Sequence, residues 1–271
     1  MRDLRVSLVQ GDTRWHDPVG NRRYYGELVA PLAGRTDLVI LPETFTSGFS
    51  NEAIDVAEEM QGPTLDWLRD TAARLDAAML GSVQLRADGA AGPGVYNRML
   101  FVTPEGDVRH YDKRHLFRYA NEHERYRAGG ERLVVEWRDW RLLPQVCYDL
   151  RFPVWIRNRR DDAAAAGMAY DLAVFVANWP APRRHAWRTL LRARAIENLA
   201  CCIGVNRVGR DGNGHEYAGD SAILDPLGMP LVELGAREQV VTCVLEAARL
   251  QAHRDHFPAW MDADDFSLTP P

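Results

Sequence analysis

The chain has 271 residues, of which 46% are hydrophobic, with a formal net charge of −5 and a pI near 5.9. That length and apolar content suffice to bury a large core, so folding requires neither a disulfide nor a metal ion. The acidic balance argues against nucleic acid and against an anionic membrane surface as partners, because nothing attracts phosphate overall.

The four cysteines, Cys147, Cys201, Cys202 and Cys243, show no paired spacing, and two are adjacent inside an apolar run. This pattern is typical of reduced thiols rather than of a disulfide framework. It gives no zinc motif either, because adjacent strand residues point to opposite faces. The N-terminal sequence MRDLRVSLVQ has no signal-peptide core, and no apolar stretch is long enough for a bilayer. We therefore expect a cytoplasmic protein in which Cys201 and Cys202 belong to the packed core.

Apolar runs and helical repeats alternate along the chain. Strands are predicted over residues 4–10, 37–41, 79–85, 95–102, 108–111, 133–137, 140–146, 172–177, 201–205, 222–224, 231–234 and 240–245. Helices are predicted over residues 18–32, from residue 63 and from residue 153, and over 186–198 and 247–257. Residues 88–94 are expected to be a glycine-rich connection, 115–130 a loop over a cleft, and 161–168 an alanine-rich helix or loop. The pattern predicts one mixed α/β layered domain.

Three ionisable residues, Glu43, Lys113 and Cys147, each follow a short apolar run. Taken alone, each has an ordinary structural explanation: a turn carboxylate, a solvated surface lysine and a small buried hydrophobe. A reactive side chain just past the end of a buried strand is held rigidly, however, and can face a cleft. If the three strands end on the same side, a carboxylate, an ammonium and a thiol meet there.

That combination suits nucleophilic catalysis by a cysteine. A thiol with a pKa of about 8.5 is mostly protonated at neutral pH, so it needs a base or a nearby cation. Glu43 can take the proton, and Lys113 can stabilise the oxyanion that forms when sulfur attacks a carbonyl carbon. The backbone N–H of Tyr148, directly after the cysteine, can supply a second oxyanion donor.

The same segments resemble the Glu-Lys-Cys centre of the nitrilase (carbon–nitrogen hydrolase) superfamily. They are LVILPETFTSGF around Glu43, YDKRHLF around Lys113 and VCYDLRFP around Cys147. NEHERYRAGG at 121–130, RARAIEN at 192–198 and GVNRVGRDG at 204–212 are also similar. The resemblance runs from about residue 4 to residue 245, and three ordered blocks at the right spacing are specific. Within the superfamily the chain is most similar to the omega-amidase group, whose members hydrolyse the side-chain amide of 2-oxo diacid monoamides.

The resemblance implies a four-layer α-β-β-α sandwich with two mixed β-sheets over residues 1–250. It also implies a homodimer that stacks through helices and a C-terminal extension, residues 251–271. Cys147 would attack the amide carbon to give a thioester, and Glu43 would activate the water that hydrolyses it. Glu122 matches a carboxylate that holds the lysine and borders the substrate, and it is preferred to Glu124 because its distance to Gly129 fits.

The function implied is hydrolysis of the omega-amide of small 2-oxo acids, such as 2-oxoglutaramate or 2-oxosuccinamate, without a metal or any other cofactor. A nitrilase or an N-carbamoyl amide hydrolase would use the same centre, and an inactive protein-binding scaffold is an alternative of another class. A cysteine–histidine protease is disfavoured because none of the eight histidines falls at a comparable strand end. His115 and His123 are expected to be solvated or structurally hydrogen-bonded.

A substrate with a terminal carboxylate needs a cationic or multi-donor end to its pocket. Arg151, Arg183 and Arg184 are candidates for that end. The predicted substrate-binding residues are Phe117, Tyr119, Arg151 and Trp179. The arginine-bearing segment 183–194 is expected to form a solvated face or a dimer contact, in preference to an anion-binding patch.

Overall fold

A computed structural model of the chain describes residues 1–161 and 167–268. The alanine-rich segment predicted over 161–168 and the last three residues of the extension therefore lie largely outside the described residues. The strands are β1 (Leu4–Gln10), β2 (Leu38–Ile40), β3 (Glu58–Glu59), β4 (Ala78–Gly89), β5 (Gly92–Val102), β6 (Val108–Asp112), β7 (Val135–Trp137), β8 (Trp140–Val146), β9 (Leu172–Ala177), β10 (Cys201–Asn206), β11 (Val208–Arg210), β12 (Glu216–Ala218), β13 (Ala222–Leu224), β14 (Pro230–Glu233) and β15 (Gln239–Leu245).

The α-helices are α1 (Pro18–Val29), α2 (Pro63–Leu75), α3 (Glu122–Arg125), α4 (Pro153–Ile156), α5 (Arg184–Asn198) and α6 (Ala247–His256). Short 3₁₀ turns cover Ala30–Leu32, Glu52–Val56, Arg118–Ala120, Cys147–Arg151, Ala181–Arg183 and Ala259–Asp262. Signals in the sequence explain where three of these helices begin. Asp17 caps α1 by accepting a hydrogen bond from the Gly20 N–H at 2.8 Å, and proline is the first residue of α1, α2 and α4.

Two predictions about connections differ from the structure. The glycine-rich segment is part of a hairpin, because the ladder between β4 and β5 continues to a pairing of Gly89 with Gly92. The segment 115–130 is not wholly irregular, since it contains a 3₁₀ turn and helix α3. Strands β3, β11 and β12 were not predicted, because two- and three-residue polar strands carry almost no periodic signal.

The strands form two large mixed sheets and one small one. The first has seven strands in the order β15-β1-β2-β4-β5-β6, with β3 also paired to β4. The second has six strands in the order β14-β13-β10-β9-β8-β7, and β11 and β12 form a separate pair. In each large sheet a parallel centre carries antiparallel strands at its edges.

Alternation along the strands shows how the layers stack. In β4, Ala78 and Leu80 join the core cluster shared with the second sheet, while Met79 and Val83 join the cluster under α1 and α2. This period of two means that the first sheet is buried on both faces. The order of layers is helices α1 and α2, first sheet, second sheet, then α5, which confirms the predicted four-layer α-β-β-α sandwich.

Helix α5 packs unusually close to the second sheet at one strand residue. A Cβ placed on Gly204 of β10 would lie 2.4 Å from Leu191 Cδ1 and 2.7 Å from Trp187 Cζ2. Glycine is therefore required there, because a larger residue would push the helix off the sheet. The neighbouring Cys201 and Cys202 are buried core residues, as predicted.

The C-terminal helix is fixed by a buried ionic cluster. Helix α6 continues across residue 250, and Arg254 reaches inward to Asp171 Oδ1 at 2.6 Å. Arg141 pairs with the same carboxylate at 2.9 Å. Burial opposes the ionised form of Asp171, but the hydrogen bonds and charges of the two arginines outweigh it and hold the Asp171 pKa below its ordinary value. Its stabilising contribution is therefore present at neutral pH and is lost as the pH falls through that lowered pKa.

We expect Arg254→Met to lower the free energy of unfolding by about 2–3 kcal/mol, because it leaves a buried carboxylate with one cation instead of two. Arg249→Met on the same helix is the matched control. The Arg249 side chain is 55% exposed in its pair with Asp225, so we expect a loss below about 1 kcal/mol. Chemical denaturation of both variants measures the difference, and equal losses would contradict a special role for the buried cluster.

Candidate active site

The three predicted strand-end residues converge on one cavity of about 310 Å³. Glu43 lies three residues after the end of β2, and Lys113 and Cys147 follow β6 and β8 directly. The first two come from one large sheet and the third from the other, so the cavity lies where the two sheets end on the same side. All three side chains line it, and Lys113 Nζ lies 3.1 Å from Glu43 Oε1.

Lys113 is held between two buried carboxylates. Its Nζ also lies 2.9 Å from each oxygen of Glu122, and the Phe117 N–H donates to Glu122 Oε2 at 2.6 Å. Burial alone would lower the pKa of Lys113, but the charges of Glu122 and Glu43 raise it well above the ordinary value, so the ammonium persists. The structure places Glu122 against the lysine and leaves Glu124 exposed.

A glycine permits the close packing beside this lysine. The Gly129 N–H donates to the Lys113 carbonyl at 2.9 Å, and a Cβ on Gly129 would lie 2.1 Å from the carbonyl oxygen of Asp112. No other residue fits that approach without displacing the end of β6. This contact gives a physical reason for the spacing between Glu122 and Gly129.

The Glu43 carboxylate is oriented by two asparagines that the sequence did not point to. Asn97 Nδ2 donates to Oε1 at 2.8 Å, and the backbone N–H of Asn178 donates to Oε2 at 2.7 Å. The Asn178 side chain donates to the Glu43 carbonyl at 2.8 Å. Asn178 follows β9 directly, so the strand-end signal that marked Cys147 was available for it. Asn97 lies within β5, where only its polarity in an apolar run distinguishes it.

Cys147 stands in a strained turn. Its φ is +47°, in the left-handed region that non-glycine residues adopt at a penalty of roughly 1–3 kcal/mol. The turn is held by Asp149, whose Oδ2 accepts hydrogen bonds from the Val146 N–H at 3.0 Å and from the Tyr111 hydroxyl at 2.9 Å. This conformation places Cys147 on the cavity wall, and the 3₁₀ turn Cys147–Arg151 begins at the same residue.

The other oxygen of Asp149 joins the nucleophile turn to the lysine segment. Asp149 Oδ1 accepts the His115 N–H at 2.9 Å and lies 2.7 Å from His115 Nδ1. The imidazole stacks on Phe152 with ring centroids 3.7 Å apart. A structurally hydrogen-bonded His115 is thus confirmed, and neither it nor His123 is among the residues that line the cavity.

The thiol of Cys147 is protonated at neutral pH. Burial raises its pKa well above the ordinary value, and the charge of Glu43 and a hydrogen bond to that carboxylate raise it further, while Lys113 opposes them. The cluster beside the sulfur has two carboxylates against one ammonium, so a second anion is disfavoured there. The arrangement therefore suits a thiol that transfers its proton as it attacks, rather than a preformed thiolate.

All the predicted substrate-binding side chains lie on the cavity wall. Phe117, Tyr119, Arg151 and Trp179 line it, as does Tyr148, and the Arg151 guanidinium carbon lies 5.0 Å from the centroid of the Trp179 ring. Of the two other arginine candidates, Arg183 lines the cavity. Arg184 instead pairs with Asp220 at 2.7 Å and is not among the lining residues.

The hairpin of β11 and β12 contributes a wall that the sequence did not reveal. Asp211, Asn213, His215 and Tyr217 line the cavity from this hairpin. The Asp211 carboxylate organises it by accepting hydrogen bonds from the Asn213 and His215 N–H groups, both at 2.9 Å, and from the Tyr217 hydroxyl at 2.8 Å. Short polar strands carry almost no periodic signal, so nothing in the sequence indicated that this hairpin faces the cavity.

Residues 1–161 and 167–268 contain no cluster of three or more His, Cys, Asp or Glu side chains with the geometry of a metal site. No helix within those ranges has the length and apolar character that crossing a membrane requires.

The raised Cys147 pKa predicts how the thiol reacts with iodoacetamide. We expect the alkylation rate of Cys147 to keep rising beyond pH 9, with no plateau near neutrality. In Glu43→Gln the profile should shift to lower pH, because the negative charge that disfavours the thiolate is gone. Mass spectrometry of the Cys147 peptide between pH 6 and pH 10 measures both profiles, with the Cys243 peptide as internal reference. A wild-type plateau at or below pH 7 would show a preformed thiolate instead.

Comparison with known proteins gives consistent relatives. The Carbon-nitrogen hydrolase family matches residues 5–255. Omega-amidase YafV of Yersinia enterocolitica is 49% identical over 271 residues, covering 99% of this chain and 100% of the relative. A 2-oxoglutaramate amidase of Bacillus subtilis is 31% identical, covering 95% of this chain and 96% of the relative.

Among solved structures, XC1258 of Xanthomonas campestris is described as a CN-hydrolase superfamily protein with an arsenic adduct in its active site. It is 63% identical, with a TM-score of 0.96 over 99% of this chain and 100% of that one. Since the family match covers nearly the whole chain and the relatives align end to end, this protein belongs to the carbon–nitrogen hydrolase family.

Proposed function

We propose that this carbon–nitrogen hydrolase cleaves the omega-amide of small 2-oxo acids, such as 2-oxoglutaramate or 2-oxosuccinamate, through a cysteinyl thioester. The observation that carries the proposal is the placement of a buried carboxylate, a buried ammonium and the partly exposed Cys147 around one cavity, with the guanidinium groups of Arg151 and Arg183 on its wall. Support comes from end-to-end similarity to relatives named omega-amidase and 2-oxoglutaramate amidase.

The first half of the proposed reaction forms the thioester. The Cys147 sulfur attacks the amide carbon while its proton passes to Glu43. The oxyanion is stabilised by Lys113 Nζ and by the backbone N–H of Tyr148. When the intermediate collapses, the carbon–nitrogen bond breaks and the proton moves from Glu43 to the nitrogen, which leaves as ammonia.

The second half hydrolyses the thioester. Glu43, ionised again, takes a proton from a water molecule whose oxygen attacks the thioester carbon. The carbon–sulfur bond then breaks, and the proton returns to sulfur, so that amide and water become ammonia and a carboxylic acid, which ionises by passing its proton to ammonia or to solvent. Glu122 keeps Lys113 charged and in place, since it lies 2.9 Å from the ammonium. The residues invoked need no metal ion or organic cofactor for either half.

Binding of the acid end is assigned to the wall of the cavity. Arg151 offers a planar fork of donors to the substrate carboxylate, with one face covered by Trp179. Phe117 and Tyr119 border the space beside it. A carboxylate fits this region better than the cavity floor, where two carboxylates already face one ammonium.

We expect wild-type protein to release ammonia from 2-oxoglutaramate or 2-oxosuccinamate, and Cys147→Ala to abolish it. Cys147→Ser should lose about 10³-fold or more in kcat, because an alcohol is a far weaker nucleophile without a dedicated base. Cys243→Ala, outside the cavity, is the control and should retain activity. Coupled detection of ammonia across a panel of omega-amides, nitriles and N-carbamoyl amino acids tests the substrate class. Much faster turnover of a nitrile or a carbamoyl compound would overturn the assignment.

We also propose that the protein works in the cytoplasm as a homodimer whose helical layers stack, with the C-terminal extension at the interface. All four cysteines are free, which suits a reducing compartment. Ile196 of α5 and Leu227 and Met229 of the turn between β13 and β14 are each more than half exposed, and Gly228 of that turn packs directly on Ile196. Such an apolar patch suits burial against a second copy.

Sedimentation equilibrium of the wild-type protein at micromolar concentration should therefore give twice the chain mass of 30.6 kDa. Ile196→Asp should shift the mass toward that of one chain, because it places a charge in the stacked face. A wild-type mass of one chain would contradict the dimer.

A further inference from the structure

Arg183 differs from the other arginines of the same segment. Four arginines of helix α5 are paired with carboxylates or carbonyls: Arg184 with Asp220, Arg188 and Arg192 with Glu233, and Arg194 with Glu197 and the Leu150 carbonyl. The guanidinium of Arg183 makes no ion pair or hydrogen bond within residues 1–161 and 167–268. It is also the arginine of this segment that lines the cavity containing Cys147.

The Arg183 guanidinium is held by aromatic faces instead. Its central carbon lies 5.4 Å from the centroid of Phe117 and 5.8 Å from that of Tyr119. The backbone is fixed as well, since the Arg183 carbonyl accepts a hydrogen bond from Trp179 Nε1 at 2.9 Å. Stacking covers the flat face of a guanidinium and leaves its N–H edge available for an oxygen ligand.

Arg151 offers a second guanidinium from a different element, and among the described residues it too has no ion pair or hydrogen bond. It belongs to the 3₁₀ turn that begins at Cys147, whereas Arg183 ends the 3₁₀ turn before α5. Trp179 links the two, because its ring lies against Arg151 and its indole nitrogen donates to Arg183. The cavity wall thus carries two positive charges fixed by one aromatic cluster.

The burial of the lining residues distinguishes a closed end of the cavity from an open end. Glu43 and Lys113 are fully buried, whereas Arg151 is exposed and Tyr119 is 84% exposed. Asp211 also lines the cavity, but its oxygens accept three hydrogen bonds inside the β11–β12 hairpin. A neutral amide therefore suits the closed end and an anionic group the open end.

We infer that Arg183 is a specificity-determining residue that, together with Arg151, binds the 2-oxo-carboxylate end of the substrate and rejects the 2-amino analogue. This inference rests on the proposed function. One of the two guanidinium groups donates to both carboxylate oxygens of the substrate. The 2-oxo oxygen is then an acceptor for the second guanidinium group. An ammonium at that carbon accepts no hydrogen bond and is repelled by the second positive charge.

The test compares three amides: 2-oxoglutaramate, L-glutamine, which has the same omega-amide but a 2-ammonium, and uncharged butyramide. The variants are Arg183→Gln, which removes the charge, and Arg183→Lys, which keeps the charge but not the fork. Arg188→Gln is the matched control, because it removes the same charge from the same segment outside the cavity and leaves Arg192 on Glu233.

In Arg183→Gln we expect kcat/KM for 2-oxoglutaramate to fall about tenfold or more, mainly through KM, as for loss of a charged hydrogen bond. Butyramide should change less than about twofold, and the preference for 2-oxoglutaramate over glutamine should narrow. Arg183→Lys should keep much of that preference while KM stays raised, and Arg188→Gln should match wild type for all three amides.

Three results would overturn the inference. Unchanged kinetics for 2-oxoglutaramate in Arg183→Gln would remove Arg183 from recognition. An equal loss for all three amides would mean that Arg183 only supports the cavity. Wild-type protein that releases ammonia from butyramide but none from 2-oxoglutaramate would refute the proposed function itself, and the role of Arg183 with it.

Discussion

The candidate site depends on a buried ammonium shared by two carboxylates. Lys113 lies within 3.1 Å of Glu43 and 2.9 Å of Glu122, and all three side chains are almost completely removed from water. Desolvating three charges is strongly unfavourable, so the cluster persists only because its oxygens and hydrogens are otherwise satisfied. Asn97, the Asn178 backbone and the Phe117 backbone supply those hydrogen bonds. These hydrogen bonds hold the two carboxylates and the ammonium in place.

Burial and the adjacent Glu43 carboxylate govern the chemistry of the neighbouring sulfur. A thiolate beside a lone lysine would be stabilised, but here the lysine charge is already neutralised and a further carboxylate remains. Burial of the sulfur raises the Cys147 pKa, and the Glu43 charge raises it further against the opposing charge of Lys113. In the proposed reaction the proton moves to Glu43 during attack, which avoids a resting thiolate that oxidants could consume. The left-handed conformation of Cys147 and the Asp149 bridge fix the geometry that this transfer needs.

Much of the architecture could be predicted from the sequence because its signals are local. Proline and aspartate at helix starts, and apolar runs of strand length, located most strands and the long helices. The strand-end argument brought Glu43, Lys113 and Cys147 together because the ends of neighbouring strands share an edge. Asn97 and the residues of the β11–β12 hairpin could not be found in this way. Their roles arise only when the two sheets stack and a short polar hairpin folds over the gap between them.

The separation of charge along the cavity also bears on the direction of the proposed reaction. The substrate amide is neutral at the closed end, but hydrolysis would leave a new carboxylate there, next to a cluster that already has a net negative charge. Repulsion at that point weakens binding of the product relative to the substrate. In the proposed binding mode, Arg151 and Arg183 at the open end contact the same carboxylate in substrate and product, so they do not change the relative affinity for the two. In the proposed reaction the Glu43 carboxylate of this cluster thus accepts the thiol proton at the start, and its negative charge favours release of the acid at the end.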